Sequence, residues 1–230
     1  GGQSCSTVCG IHPGKNGRDS LPLLDDIRDV KLNCVLITYF HSDHCAALPY
    51  LITRTTLGRS QPKIFMTQPT RTLYEYVTKD FIRKAMRGNF GAAAAARSGI
   101  DLSSTEAFGN ESGSIGSQLY EEADIDRTNA LIEVIGFDET KEYRGIRITC
   151  LNAGHVLGAC MFLVEIDEKR VLYTGDFSCQ EDHHLMGAKV PAVPNVDVLI
   201  VESTYGINNH DPREKREKDF LTAVRSCIDR

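Results

Sequence analysis

The 230-residue sequence lacks tryptophan and lacks any long hydrophobic segment. Apolar runs such as residues 34–37 and 198–201 are far shorter than the roughly 20 residues that a membrane-spanning helix needs. No signal peptide is recognisable at the start. Because 41% of the residues are hydrophobic and 25% are charged, the composition predicts an ordinary soluble globular protein with its own core.

The sequence also lacks paired cysteines and an excess of basic residues. Its eight cysteines are scattered, without a C-x-x-C pair, which predicts reduced thiols in an intracellular compartment. The formal net charge of -5 argues against a broad basic face for nucleic acid. A nuclease remains open, because bound metal ions can supply positive charge where a phosphate must sit.

The periodicity of the remaining sequence predicts an α/β layered fold, in which sheets are covered by helices. Strands are predicted at residues 33–40, 63–67, 146–151, 161–166, 171–174 and 196–201. Helices are predicted at residues 45–53, 69–87, 120–132 and 211–230. Between them, residues 88–118 are rich in Gly, Ala and Ser and include the run 92–96, which predicts a flexible low-complexity insertion.

Chemically reactive side chains follow three of these strands. His41, Asp43 and His44 come directly after strand 33–40, His155 follows strand 146–151, and Asp176 follows strand 171–174. Each could be an ordinary polar loop residue, and Asp after Gly is a common turn former. Their combination favours a metal site, since ligands gather at the carboxyl ends of strands in such folds and these side chains bind Zn²⁺.

The order of these motifs resembles the metallo-β-lactamase superfamily and, within it, the β-CASP nucleases. The matching stretches are residues 9–14, 40–49, 153–161, 173–186 and 202–206. The resemblance implies an incomplete αββα sandwich over residues 1–206, interrupted by the insertion. It also implies that residues 207–230 begin a β-CASP domain, because that domain follows the motif at residues 202–206 in the family.

What the resemblance implies for the site is a pair of zinc ions. His41 and His155 would bind the first zinc, Asp43 and His44 the second, and Asp176 would bridge both, with Asp43 and Asp176 at the catalytic centre. Glu202 would orient a histidine from a later motif of the family, although a solvated strand-end carboxylate is an equally good interpretation.

Two residues depart from the family pattern. Tyr39 occupies the position of the first family histidine, and a phenol with a pKa of about 10 is a poor zinc ligand at neutral pH. Val8 replaces an aspartate that supports the zinc ligands in the family through hydrogen bonds. We therefore expect two zinc ions if the site is intact, and one or none if these changes have weakened it.

The resemblance implies a nuclear RNA endonuclease of pre-mRNA 3′-end processing, which hydrolyses a phosphodiester with a metal-bound hydroxide. Its partners would be pre-mRNA and other cleavage and polyadenylation subunits, including a lactamase-like paralogue. The alternative is a catalytically decayed scaffold subunit of the same complex. A hydrolase of thioesters or lactams is a third and weaker hypothesis.

Overall fold

The computed structural model describes residues 3–7, 9–15, 17–98, 119–192, 195–208 and 211–229. Within these ranges the strands are β1 (Cys5–Ser6), β2 (Cys34–Leu36), β3 (Lys63–Met66), β4 (Ile132–Val134), β5 (Thr140–Tyr143), β6 (Ile146–Asn152), β7 (Cys160–Ile166), β8 (Lys169–Tyr173) and β9 (Val198–Ile200). The α-helices are α1 (Ser42–Cys45), α2 (Leu48–Arg54), α3 (Gln68–Ser98), α4 (Glu122–Asn129) and α5 (Arg213–Ile228). None of the helices in the described ranges is long and apolar enough to cross a bilayer.

The first sheet is parallel and has the order β1-β2-β3-β4. Its central strand β2 is fully buried, as expected for an apolar run in a parallel sheet covered on both faces. Alternate residues point to opposite faces, so Val35 and Ile64 pack with the helices. Leu36 and Phe65 pack on the other face, against the second sheet.

The second sheet has the order β5-β6-β7-β8-β9, antiparallel except for the parallel pair β8-β9. Ile148 on β6 and Phe162 on β7 belong to the buried cluster that joins it to the first sheet. The layers are therefore helices, sheet and sheet, which confirms the predicted α/β class and agrees with an incomplete metallo-β-lactamase sandwich. No residue of α5 is buried.

Several boundaries differ from those predicted. The segment 88–98 was expected to be flexible, but it continues α3, because alanine has the highest helix propensity and the run 92–96 extends the preceding helix. The predicted helix 120–132 ends earlier, and Ile132 instead begins β4 on the edge of the first sheet. Residues 99–118 and Val8 lie outside the described ranges, so the expectations for them stay predictions.

A buried carboxylate holds α4 in place. Asp124 is 2% exposed. It accepts hydrogen bonds from the Arg54 guanidinium on α2, whose Nη2 lies 2.6 Å from Oδ2, and from the backbone N–H of Glu121. Burial alone would raise the pKa of Asp124, but the hydrogen bonds from Glu121 and Arg54 outweigh it and hold the pKa below its usual range. The ionised carboxylate therefore stabilises the folded state.

We predict that Asp124→Asn lowers the free energy of unfolding at pH 7 by about 1–3 kcal/mol, because charge-assisted hydrogen bonds become neutral ones. A depressed folded pKa stabilises the protein above the unfolded pKa of about 3.9, and this stabilisation is lost as the pH falls through the folded value. Urea unfolding should therefore show a gap between the two proteins that narrows on acidification below about pH 4.

The matched control is Asp126→Asn, an exposed position on the same helix. We expect this control to change the free energy of unfolding by no more than about 0.5 kcal/mol. Equal losses for the two variants at pH 7 would contradict the role assigned to Asp124.

Candidate metal centre

The five residues singled out as metal ligands come together at one end of the two sheets. His44 Nε2 lies 3.6 Å from Asp43 Oδ2 and 3.7 Å from Asp176 Oδ1, and His155 Nε2 lies 3.9 Å from Asp176 Oδ2. The rings of His41 and His155 are 6.0 Å apart between centroids. The loops after β2, β6 and β8 thus deliver their polar side chains to a single place, as the positions at strand ends predicted.

Tyr39 lies at the centre of this group, not at its margin. Its ring centroid is 4.8 Å from that of His41, 4.2 Å from that of His44 and 5.0 Å from that of His155. The side chain is buried, with 1% exposed, and its hydroxyl donates a hydrogen bond of 2.6 Å to Asp176 Oδ2. Burial first, and then the Asp176 carboxylate, raise the pKa of Tyr39 well above its usual range. The phenol therefore keeps its proton at neutral pH and shares it with Asp176.

The short helix that carries Asp43 and His44 is supported by the chain after β1. The backbone N–H of Cys9 donates to the carbonyl of His44 over 3.2 Å, and the N–H of Ile11 donates to Ser42 over 3.0 Å. Between them, a Cβ on Gly10 would lie 1.6 Å from the carbonyl oxygen of Asp43. Only glycine permits this close approach, so Gly10 sets the position of the helix. Sequence analysis had assigned no role to this residue.

The turn that presents Asp176 is held by Glu202. Gly175 has a φ of +56°, and the next N–H after Asp176, that of Phe177, donates to Glu202 Oε1 over 3.1 Å. This contact fixes the backbone on the C-terminal side of Asp176. The predicted role of Glu202, to orient a later histidine, stays a prediction, and the contact with Phe177 carried no signal in the sequence.

His155 has a strained backbone and an unsatisfied nitrogen. Its φ of +54° is unusual for a residue with a side chain. Its Nε2 is buried and has no hydrogen-bond partner among the described residues. A buried polar atom without a partner costs about 1–3 kcal/mol. Strain and an orphaned nitrogen at one residue are typical of a group that awaits a ligand.

Of the five candidate ligands, His44 has the surroundings that most clearly favour metal binding. Burial lowers its pKa more than Asp176 and Asp43 raise it, so the imidazole is held neutral, the form that binds metal. Its other ring nitrogen, Nδ1, lies 3.5 Å from Thr38 Oγ1. A partner of this kind on the far nitrogen orients a ligating histidine, and here it turns Nε2 towards Asp43 and Asp176.

Pairs of the candidate donors lie close to the separation of zinc ligands. Ligands of a tetrahedral zinc ion lie about 3.4 Å apart, and both carboxylates are within a few tenths of an ångström of that distance from His44. Among the residues that the structure describes, no three His, Cys, Asp or Glu side chains are grouped closely enough to hold a metal ion. On the other side of Asp176, the Tyr39 hydroxyl donates a hydrogen bond to Oδ2, the oxygen that lies 3.9 Å from His155 Nε2. His44 and the two carboxylates are therefore donors of the kind that binds a divalent cation, and whether His41 and His155 bind a second ion stays a prediction.

A cleft opens beside His155 towards α5. Its volume is about 350 Å³, within the range of small-molecule sites, and its walls include His155, Ser178, Asp182, Arg216 and Phe220. Of the five candidate ligands, His155 is the one on the wall of this cleft.

This chain matches one family model and is similar to several known proteins. A family model described as a metallo-beta-lactamase superfamily domain matches residues 11–200. Cleavage and polyadenylation specificity factor subunit 3 of Dictyostelium discoideum is 39% identical over 226 residues, which are 96% of this chain and 25% of that protein. Cleavage and polyadenylation specificity factor 73 of Drosophila melanogaster is 39% identical over 227 residues, 99% of this chain and 29% of that protein.

A fungal relative extends the comparison. Endoribonuclease YSH1 of Saccharomyces cerevisiae is 36% identical over 230 residues, covering 99% of this chain and 26% of that protein. The chain thus spans about a quarter of the length of the curated relatives it matches.

The position of Tyr39 leads to a prediction about metal content. We expect Tyr39→His to bind one more zinc ion per chain than the unsubstituted protein, because an imidazole replaces the phenol beside His41 and His155 and frees Asp176 Oδ2. Tyr39→Phe is the matched control: it also frees Asp176 but adds no ligand, and it should gain no ion. Zinc per chain is measured by plasma mass spectrometry after gel filtration in metal-free buffer. Equal zinc content in the unsubstituted protein and Tyr39→His would refute the role given to Tyr39.

Proposed function

This chain belongs to the metallo-beta-lactamase superfamily, and on that premise we propose that it forms part of a zinc-dependent RNA endonuclease of the pre-mRNA 3′-end cleavage and polyadenylation machinery. The observation that carries the proposal is the convergence of His41, Asp43, His44, His155 and Asp176 from the ends of three strands. The names of the relatives, which include two cleavage and polyadenylation factors and an endoribonuclease, support the choice of RNA as substrate.

The proposed reaction is hydrolysis of an RNA phosphodiester. A zinc ion bound at such a site polarises the phosphoryl group and makes water acidic enough to attack near neutral pH. Asp43, His44 and Asp176 would hold this ion. His155 lies on the wall of the cleft, and its imidazole is placed to contact the substrate once it enters.

In the proposed site, the Tyr39 hydroxyl stays protonated and acts as a hydrogen-bond donor. Its hydroxyl holds Asp176 Oδ2, so the carboxylate keeps one orientation and presents its other oxygen, Oδ1, towards His44. Glu202 holds the adjacent backbone in the same position. The two contacts hold Asp176 in one orientation, and its bridging of two zinc ions stays a prediction.

The cellular setting follows from the proposed reaction. A subunit of this machinery acts in the nucleus on pre-mRNA, together with other cleavage and polyadenylation subunits and a lactamase-like paralogue. The net charge of -5 supports a role in which metal ions and partner subunits, not a basic face of this chain, attract the RNA.

A catalytically inactive scaffold subunit is the second candidate, and one observation favours it. The Tyr39 hydroxyl already satisfies Asp176 without any metal, in a buried environment where the hydrogen bond is strong. If the Tyr39 hydroxyl satisfies the carboxylate of Asp176, the fold remains stable with no ion bound. In that case the chain would contribute assembly surfaces alone.

Cleavage of RNA by the complete protein that contains this chain tests the proposal. We expect Asp176→Asn to lower the rate by more than about 100-fold, since even supporting residues of metal sites contribute 10- to 100-fold. Asp167→Asn, an exposed carboxylate in the turn after β7, is the matched control and should keep the rate. Substrate loss is followed on a radiolabelled RNA that contains a 3′-processing site.

The same assay separates the two candidates. Cleavage by the unsubstituted protein that is unaffected by Asp176→Asn would contradict the proposed site. No cleavage by the unsubstituted protein, with normal co-purification of the other subunits, would establish the scaffold role.

A further inference from the structure

Two cysteines face each other across the first pair of strands. In the parallel ladder of β1 and β2, Cys5 is the direct partner of Cys34. The Cys34 thiol points at the sulfur of Cys5, and the two Sγ atoms are 3.1 Å apart. All eight cysteines are free thiols in the structure. Neither Cys5 nor Cys34 belongs to the candidate metal centre, so their proximity has no explanation there.

The backbone at this pair permits a covalent bond without rearrangement. Neighbouring strands lie about 4.7–4.9 Å apart, and disulfides span Cα separations of about 4.4–6.8 Å. The side chains of direct partners in a ladder point to the same face of the sheet. Forming the bond requires the two sulfur atoms to approach by about 1 Å, which a small rotation of each side chain provides.

Accessibility distinguishes this pair from the other neighbouring cysteines. Cys5 is partly exposed, whereas Cys34 is fully buried. Cys150 and Cys160 also lie close together, but both are fully buried, and Cys150 pairs across the ladder with Phe162. An oxidant in solution can therefore reach Cys5 and cannot reach the second pair in the folded protein.

We propose that Cys5 and Cys34 form a redox-sensitive disulfide when the protein meets a peroxide. The sulfur of Cys5 attacks one oxygen of hydrogen peroxide, the O–O bond breaks, and a sulfenic acid and water are formed. The sulfur of Cys34 then attacks the sulfenic sulfur, the S–O bond breaks, and a second water leaves with the thiol proton. The two sulfur atoms together lose two electrons, and the peroxide is reduced to two molecules of water.

The expected consequence is a firmer support for α1. Strand β1 pairs through only two residues, and it leads directly to the segment whose Cys9 and Ile11 hold the backbone of His44 and Ser42. A covalent bond at Cys5 fixes this edge strand to the centre of the sheet. Oxidation therefore stabilises the part of the chain that positions Asp43 and His44.

The reaction should be slow at neutral pH. The thiol hydrogen bond with Cys34 and burial both raise the pKa of Cys5, so the reactive thiolate is scarce. The rate of disulfide formation should rise about tenfold per pH unit while the pH stays below that pKa. This behaviour suits a sensor of sustained oxidation better than a rapid switch.

The experiment uses the complete chain with the exposed Cys179 and Cys227 replaced by serine, to prevent links between molecules. The folded protein is treated with hydrogen peroxide, free thiols are blocked with iodoacetamide, and tryptic peptides are identified by mass spectrometry. We expect a link between peptides 1–15 and 32–54, because these contain Cys5 and Cys34. The thermal midpoint should rise by about 5–10 °C, as expected for a closed loop of this size.

Control variants identify the cysteines that react. Peptides 1–15 and 32–54 also contain Cys9 and Cys45. Cys5→Ser and, separately, Cys34→Ala should abolish the link and the rise in the midpoint, whereas Cys9→Ala should keep both. Circular dichroism confirms that each variant is folded before treatment.

Two results would overturn the proposal. One is the absence of the link in the folded protein under conditions in which peroxide oxidises Cys179 of the unsubstituted chain. The other is a link that survives in Cys5→Ser or forms only in urea, since the pairing of β1 with β2 would then play no part.

Discussion

The hydrogen bond from the Tyr39 hydroxyl to Asp176 is the interaction on which the candidate centre depends. Tyr39 follows a strand of the first sheet, and Asp176 follows a strand of the second, so the bond joins the two layers at the end where their loops meet. It is short, and its donor Tyr39 is almost fully buried while Asp176 is partly exposed. Burial of the donor strengthens the bond. The position and the chemistry of Asp176 are both set by this contact.

The rest of the site is arranged by backbone contacts between the loops. Gly10 lets the chain after β1 approach Asp43, and Gly175 and Glu202 fix the turn that carries Asp176. The imidazole of His44 is partly buried, and its lowered pKa keeps it neutral between these supports. One oxygen of Asp176 thus faces His44, and the other accepts the hydrogen bond of the protonated Tyr39 phenol, so the two sides of Asp176 differ.

Much of the fold could be predicted because most of its strands are short apolar runs bounded by turn-forming residues. The apolar runs of β2 and β7 predicted buried strands. The polar residues at the strand ends do meet in one place, and their binding of a metal stays a prediction. The α-helix at 88–98 was missed because Gly and Ser around the alanine run suggested a linker, although helix propensity and a preceding helix favour continuation. Strands β4 and β5 were missed because they are short and, at best, half-buried. The contact of Tyr39 with Asp176 joins residues 137 positions apart, and no local pattern encodes it.

The central claim is that Tyr39 remains a protonated hydrogen-bond donor to Asp176 when the site holds its metal. The most direct test is to observe the Tyr39 hydroxyl proton by NMR, assigned by its loss in Tyr39→Phe, before and after zinc saturation. A buried hydroxyl of this kind should give a slowly exchanging downfield resonance, and we predict that it persists with one zinc ion bound per chain. Disappearance of the resonance on adding zinc would mean that Tyr39 binds the metal as a phenolate, and it would contradict this account of the site.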